Sequence, residues 1–219
     1  LSVVDMLRNK TGIDIATNGG PGQTTSVFIR GAESDHTLIM VDGVKINPDT
    51  IGVAAIQNIP LNMIERIEVI MGPRSTLYGS DALGGVIQIF TRESETAEAG
   101  WRFGSYSSNE LSGNYHSKSA NMRFGIDLSA SRSDGFPARR EASEDSAYEN
   151  DSFNLKIGKS FANTELDFQY LGSRGQADYY DFLLSPVAQD YNNNLASVTA
   201  RFNATDAWVS KIKLSYFTD

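Results

Sequence analysis

The second half of the chain alternates apolar and polar residues with a period of two. In one segment the apolar positions are Met122, Phe124, Ile126 and Leu128, and similar segments span 153–157, 166–170, 196–202 and 208–216. This period places apolar side chains on one face of a β-strand and polar side chains on the other. From residue 101 onward the pattern predicts seven strands of a half-buried antiparallel sheet.

The predicted connections between these strands alternate in length along the chain. Long connections are expected at 132–151 and 172–194, and short ones at 117–121, 161–164 and 203–207. Outer-membrane β-barrels have short turns at one end and longer loops at the other. The pattern therefore favours a transmembrane barrel over a soluble β-sandwich, in which the two faces would alternate in the same way.

The first half of the chain has a mixed α/β pattern. Residues 2–10 predict a short helix with Ser2 as its N-cap. Strands are expected at 13–16, 26–30, 37–41, 66–71 and 86–90. A tight turn is predicted at Asp42-Gly43. The two halves meet in a glycine-rich stretch over residues 72–91, which leads from the mixed pattern into the alternating one.

Composition and charge exclude several classes of function. Acidic residues outnumber basic residues by 27 to 19, so the net charge is −8, whereas a nucleic-acid surface would be basic. His36 and His116 stand alone rather than in a metal-binding motif. No nucleophile, base and orienting residue follow the pattern of an active site. The sequence therefore predicts neither nucleic-acid binding nor catalysis.

Four ordered motifs carry a resemblance to a known family. They are FIRG at 28–31, MVDGV at 40–44, IERIEVI at 64–70 and GPRSTLYGSDALGGVIQIFT at 72–91. Together they resemble the plug domain of TonB-dependent outer-membrane receptors. Within that family, NGGPGQTTSVFIRG at 18–31 and IERIEVIMGPRS at 64–75 are most similar to the receptors for vitamin B12 (cobalamin).

The resemblance implies a fold and a mode of action. It implies an α+β plug domain over residues 1–95, followed over 96–219 by the first seven or so strands of an antiparallel transmembrane β-barrel. Plugged receptors have about 22 strands, so we expect an incomplete barrel, a missing N-terminal part and a longer whole protein. The implied function is binding and import of a corrinoid across the bacterial outer membrane. The implied partners are a TonB-type inner-membrane energy transducer and outer-membrane lipid.

The resemblance also assigns substrate contacts to the two apices of the plug. These positions are Thr24, Ser26, Glu33, Thr50 and Ile51, with Phe182 as the contact from a barrel loop. Hydroxyls, amides and small apolar groups suit a large neutral polar ligand. Residues 18–26 and 46–53 contain no lysine or arginine, which disfavours an anionic siderophore.

A calcium site is the cofactor that the resemblance implies. Two long connections are rich in acidic residues, and hard cations such as Ca²⁺ take six to eight oxygen ligands. The residues that match the ligands of the family are Glu149, Asp151, Tyr180, Asp181 and Asp190. A further aspartate of the family falls at Pro137 in this chain. The alternative is a pair of solvated acidic loops, the usual state of such charge runs.

Two other functions stay open on the sequence alone. One is a TonB-dependent receptor for a siderophore or another metal chelate. The other, from a different class, is a β-rich surface binding protein that does not transport its ligand. Insertion of the full-length protein into a membrane distinguishes the second alternative from the receptors.

Overall fold

The computed structural model describes residues 2–137, 145–181, 183, 185–205 and 208–219. Its first part, which we call the N-terminal unit, holds two helices and six strands. They are α1 (Val3–Arg8), β1 (Ile13–Thr17), β2 (Thr25–Ile29), β3 (Thr37–Val41), β4 (Val44–Lys45), β5 (Ile64–Met71), α2 (Ser75–Tyr78) and β6 (Gly85–Thr91). Short 3₁₀ turns at Ile56–Asn58 and Leu61–Met63 flank Pro60.

The helix α1 begins at Ser2, the N-cap that the sequence predicts, and the structure shows a capping box there. The side chain of Ser2 accepts the backbone N–H of Asp5, and the Asp5 carboxylate accepts the backbone N–H of Ser2. This exchange satisfies donors that a helix N-terminus leaves unpaired. The apolar stripe Val3, Val4 and Leu7 is buried and ties the helix to the core.

The core of the N-terminal unit lies around a four-stranded sheet with the order β4-β3-β6-β5. Strands β3 and β6 run parallel and lie in its centre. Strands covered on both faces have continuous apolar sequences, and both strands are almost entirely buried. A separate hairpin, β1-β2, adds Val27 and Ile29 to the same core.

The second part of the chain is one sheet of seven antiparallel strands in sequence order, the number that the periodicity predicts. The strands are β7 (Thr96–Phe103), β8 (Asn109–Lys118), β9 (Met122–Ser133), β10 (Tyr148–Ser160), β11 (Thr164–Tyr180), β12 (Pro186–Thr205) and β13 (Trp208–Thr218). Strand β7 begins at Thr96, and the domain boundary at 95/96 stays a prediction.

The predicted bounds of the two longest connections are wrong. Strands β9 to β12 extend further, which shortens these connections to residues 134–147 and 181–185. Glu149 and Asp151 therefore lie on β10 and Asp190 lies on β12, rather than in loops. The sequence hides these strand ends because polar residues occupy both faces there, so the alternation of apolar and polar residues disappears.

The seven-stranded sheet turns its polar face towards the N-terminal unit and leaves its apolar face uncovered. Buried polar residues on the first face include Asn114, His116, Asp127, Asn154, Gln169 and Ser197. Exposed apolar residues on the second face include Leu128, Leu166, Phe168, Val198, Ile212 and Leu214. A soluble sheet has the opposite arrangement, whereas a lipid-facing barrel wall has this one. No helix among the described residues is long and apolar enough to cross a membrane.

Candidate functional site

The first candidate surface is the loop 18–24 between β1 and β2, which we call the first apical loop. It lies against the end of the sheet that carries the connections 104–108, 134–147 and 181–185, which we call the long-loop end. The Gln23 amide donates a hydrogen bond of 2.7 Å to the Asp178 carbonyl of β11. At Gly22 (φ +76°) a Cβ atom would lie 2.1 Å from the ring of Tyr148, so this close approach requires glycine.

Two predicted substrate contacts lie on this loop and the strand that follows it. Thr25, Val27 and Ile29 point into the core, so the alternation of β2 puts Ser26 on the other face. Thr24 is exposed, and its carbonyl accepts the backbone N–H of Asn18 at 3.2 Å, which closes the loop. Thr24 therefore lies on a loop that is closed by a backbone hydrogen bond, and Ser26 lies on a strand that is paired with β1.

The second apical loop, 46–53, is held in place by one buried amide. The Asn47 side chain accepts the Ile39 backbone N–H at 2.7 Å and donates to the carbonyls of Thr37 and Gly52. These three bonds fix a loop that exposes Thr50 and Ile51, of which Ile51 has 66% of its surface free. The loop is held at its base by these hydrogen bonds, and its exposed tip combines Asp49 with Thr50 and Ile51.

Glu33 joins this second surface through the turn Ser34–His36. A Cβ atom at Gly52 would lie 2.8 Å from the Cβ of Asp35, so the turn and the second apical loop are in close contact. Glu33 is the exposed residue that precedes the turn. The structure therefore brings Glu33 near the loop that carries Thr50 and Ile51, and the contact of these residues with a ligand stays a prediction.

The lysine next to the second apical loop is already paired with carboxylates. Lys45 forms ion pairs with Asp81 at 2.7 Å and with Asp49 at 3.0 Å. The hydrogen bond to Asp81, and then the one to Asp49, raises the pKa of Lys45, while the same contact with Lys45 lowers the pKa of Asp81. This surface thus presents the side chains of Thr50 and Ile51 together with exposed carboxylates, and its nearest lysine is held in ion pairs.

Sequence reasoning missed one group of potential metal ligands. Ligand atoms of Glu33, Asp35 and His36 lie within 4.8 Å of one another. The sequence suggested that His36 stands alone, because no metal-binding spacing surrounds it. The two carboxylates are exposed, and exposed acidic groups are common without a bound ion.

Three of the residues expected to bind calcium have partners within the protein. Glu149 and Asp151 on β10 are both paired with Arg132 of β9, at 3.3 Å and 2.9 Å. One carboxylate oxygen of Asp181 accepts backbone N–H groups within its own loop, from Leu183 at 2.9 Å and Ser185 at 2.8 Å.

The other expected ligands are also separated. Asp190 is in register with Gln176, which is in turn in register with Glu149, so two strand spacings separate the two acidic residues. Tyr180 is the last residue of β11, and Phe182, the predicted substrate contact from this loop, lies outside the described residues. Because Arg132 is paired with both Glu149 and Asp151, these two carboxylates are not a free pair of ligands, and calcium binding by the whole set stays a prediction.

A cavity of about 480 Å³ lies beside the first apical loop. It is bounded by that loop and by residues near the ends of β7 to β10, among them Phe136, Tyr148 and Asn150. A Cβ at Gly20 would lie 3.3 Å from the Phe136 ring, so the loop forms one wall directly. The cavity is open and large enough to admit part of a bulky ligand.

A second cavity, of about 430 Å³, lies between the N-terminal unit and the end of the sheet that carries the short turns. The Asp42 side chain forms an ion pair of 3.3 Å with Lys156 of β10 and accepts a hydrogen bond from Gln169 of β11. Lys213 of β13 donates to the Asp42 carbonyl. Three strands of the sheet are thus connected to one turn of the N-terminal unit.

Comparisons with known proteins agree with this architecture. Residues 1–86 match the family model described as TonB-dependent Receptor Plug Domain. Over 210 residues the chain is 36% identical to the vitamin B12 transporter BtuB of Photobacterium profundum, covering 91% of this chain and 34% of that protein.

Solved structures share the fold at low sequence identity. The siderophore receptor PirA from Acinetobacter baumannii matches with a TM-score of 0.77 and 19% identity, over 99% of this chain and 37% of its own. A mutant of the ferric enterobactin receptor PfeA from Pseudomonas aeruginosa gives 0.74 and 20%, over 99% and 38%. The copper transporter OprC gives 0.74 and 15%, over 98% and 34%. The chain spans about a third of the length of these relatives.

Proposed function

We propose a transport function for this chain, which belongs to the family of TonB-dependent receptors: its N-terminal unit is their plug domain and its seven strands are part of their barrel wall. This membership places it in the bacterial outer membrane, with the apolar face of the sheet in lipid. The family is one of receptors and transporters rather than enzymes.

The ligand that we propose is cobalamin or a related corrinoid. The observation that carries this proposal is that the two apical loops, 18–24 and 46–53, contain no lysine or arginine, while the neighbouring Lys45 is held by two carboxylates. A ferric catecholate is anionic and would favour free basic groups. The relative at 36% identity is named a vitamin B12 transporter, which supports the same ligand.

The mechanism that we propose is binding followed by gated movement of the plug. A ligand that contacts both apical loops would favour one arrangement of the N-terminal unit within the barrel, because a ligand shifts an equilibrium by its differential affinity for the two states. A TonB-type partner in the inner membrane would then supply the energy that displaces the plug. The contacts of Asp42 with β10, β11 and β13 are ones that such a displacement has to break.

Equilibrium binding of cyanocobalamin to the full-length receptor in detergent tests this proposal. We expect saturable binding, which Thr24→Ala and Ser26→Ala each weaken roughly three- to tenfold through the loss of one hydrogen bond. Ser119→Ala, at a short turn on the opposite end of the sheet, is the matched control and should leave the affinity unchanged.

Two other outcomes would point to different functions. Binding of a ferric siderophore without binding of cyanocobalamin would keep the family and replace the ligand. A full-length protein that fails to insert into lipid vesicles would instead support a surface binding protein that does not transport.

A further inference from the structure

A row of polar side chains crosses the outward face of the sheet near its long-loop end. Register pairs place Arg132 of β9 beside Glu149 of β10, Glu149 beside Gln176 of β11, and Gln176 beside Asp190 of β12. Alternation along β9 puts Arg132 on the same face as Leu128, which is exposed to the membrane side. The row therefore lies above the apolar band, on the surface that faces away from the plug.

Arg132 stands between two carboxylates of the neighbouring strand. Its Nε lies 3.3 Å from Glu149 Oε2, and its Nη2 lies 2.9 Å from the Asp151 carboxylate. Its Nη1 donates to the Ser131 carbonyl at 2.8 Å, so three of its nitrogens are engaged. The three side chains are about half exposed, at 42%, 58% and 41% of their surface.

A positive partner between Glu149 and Asp151 relieves the repulsion between their charges. They are two residues apart on one strand and share a face, so their charges repel each other across roughly 7 Å, two residue rises along a strand. A divalent cation can neutralise such a pair through oxygen ligands. A guanidinium can do so as well, because it is permanently charged and its donors are arranged in a planar fork.

We propose that the Arg132 guanidinium is the built-in cation of this pair, and that it replaces the calcium ion that the acidic residues of these strands would otherwise bind. A calcium ion at Glu149 and Asp151 would have to displace Arg132 and leave its charge beside a dication. Arg132 thereby joins the ends of β9 and β10 without any bound metal. This inference concerns which cation pairs with Glu149 and Asp151, and it does not depend on the identity of the transported ligand.

The proposal predicts that removal of Arg132 creates a calcium site. In calorimetric titrations of the full-length protein in detergent with calcium chloride, we expect no binding at Glu149 and Asp151 in the wild type up to about 10 mM. For Arg132→Gln we expect binding in the range of roughly 10⁻⁴–10⁻³ M, the affinity typical of extracellular calcium sites. A second substitution, Asp151→Asn, should abolish the binding that Arg132→Gln creates.

Arg174→Gln is the matched control. Arg174 is in register with Asp151 on β11 and is exposed, and no ion pair joins it to another residue in the described part of the chain. This variant removes the same charge from the same face without freeing Glu149 and Asp151. It should therefore behave like the wild type in the titration.

Two results would overturn the proposal. One is a folded Arg132→Gln protein that binds no more calcium than the wild type, which would show that Arg132 forms an ordinary surface ion pair. The other is calcium binding by the wild type that Glu149→Gln or Asp151→Asn removes, a test that needs no change at Arg132. If Arg132→Gln fails to fold, the second result still decides the matter.

Discussion

Lys156 of the barrel wall and Asp42 of the plug form an ion pair across the interface between the two parts, with 3.3 Å between Nζ and Oδ2. The two side chains are only 14% and 12% exposed. Asp42 holds a left-handed backbone conformation (φ 48°) in the tight turn between β3 and β4, which carries its carboxylate towards the wall. One turn of the plug is thus the meeting point of residues that lie far apart along the chain.

Loss of this ion pair should loosen the plug. Lys156→Met keeps most of the side-chain volume and leaves the Asp42 carboxylate without its cation. We expect the full-length protein in detergent to lose about 3 kcal/mol of stability in denaturant unfolding, the lower part of the range for a broken buried pair. Lys159→Met, at an exposed position of the same strand, should change stability by less than about 0.5 kcal/mol. Equal effects of the two substitutions would contradict a special role for Lys156.

A second prediction concerns Asp127, which is fully buried on the polar face of the wall. Its carboxylate is within hydrogen-bond distance of Asn154 Nδ2 and His116 Nε2, both at 2.8 Å, and of Asn114 Nδ2. Asp127→Leu would leave three buried polar groups without their acceptor, so we expect a loss of about 3 kcal/mol or more.

Asp167→Leu is the comparison for Asp127→Leu, because Asp167 pairs with Arg123 at a half-exposed position. Exposed pairs contribute only about 0–1 kcal/mol. The difference in denaturant midpoint between the two variants measures the contribution of burial. Similar midpoints would show that the buried network contributes no more than a surface pair.

A third prediction follows from Glu65, whose carboxylate accepts the backbone N–H groups of Glu93 and Ser94 at 2.8 and 3.2 Å. These bonds, led by the one from Glu93, lower the pKa of Glu65 below its ordinary value of 4.5. A lowered pKa means that the stabilisation is present above about pH 4.5 and is lost as the pH falls through the folded-state pKa.

Hydrogen exchange at the Glu93 and Ser94 amides measures this effect. Relative to the intrinsic exchange rates, protection in the wild type should fall on acidification below about pH 4.5. In Glu65→Gln the protection should be lower and should no longer depend on pH in that range. Glu68→Gln, which removes the partner of Arg66 on the same strand, should keep the wild-type profile.

A fourth prediction tests whether the apolar face of the sheet lies in lipid. Leu214 on β13 has 71% of its surface exposed. Leu214→Arg should cost about 2–4 kcal/mol of folding free energy in phospholipid vesicles, as expected for arginine near the middle of a bilayer. Leu214→Ala at the same position measures the packing contribution alone and should cost less. If the arginine is tolerated as well as the alanine, water rather than lipid covers this face.

Much of the architecture could be predicted because it is encoded locally. The capping box of α1, the buried strand Thr37–Val41 and the seven alternating strands each follow from residues close together in the sequence. The spacing of apolar residues within one element shows which face of that element is apolar, whichever elements lie next to it. The strand ends at Glu149 and Asp190 could not be predicted from periodicity because both faces are polar there.

The sequence by itself determined the types of element, the number of strands and the lack of basic residues in the apical loops. Only the tertiary structure decided which distant charges meet, such as Lys156 with Asp42 and Arg132 with Asp151. The physical reason is that an ion pair depends on strand register and on how the plug sits within the sheet. Both are set by many contacts over the whole fold between residues that are far apart in the sequence. They therefore cannot be predicted from the pattern of residues within one segment.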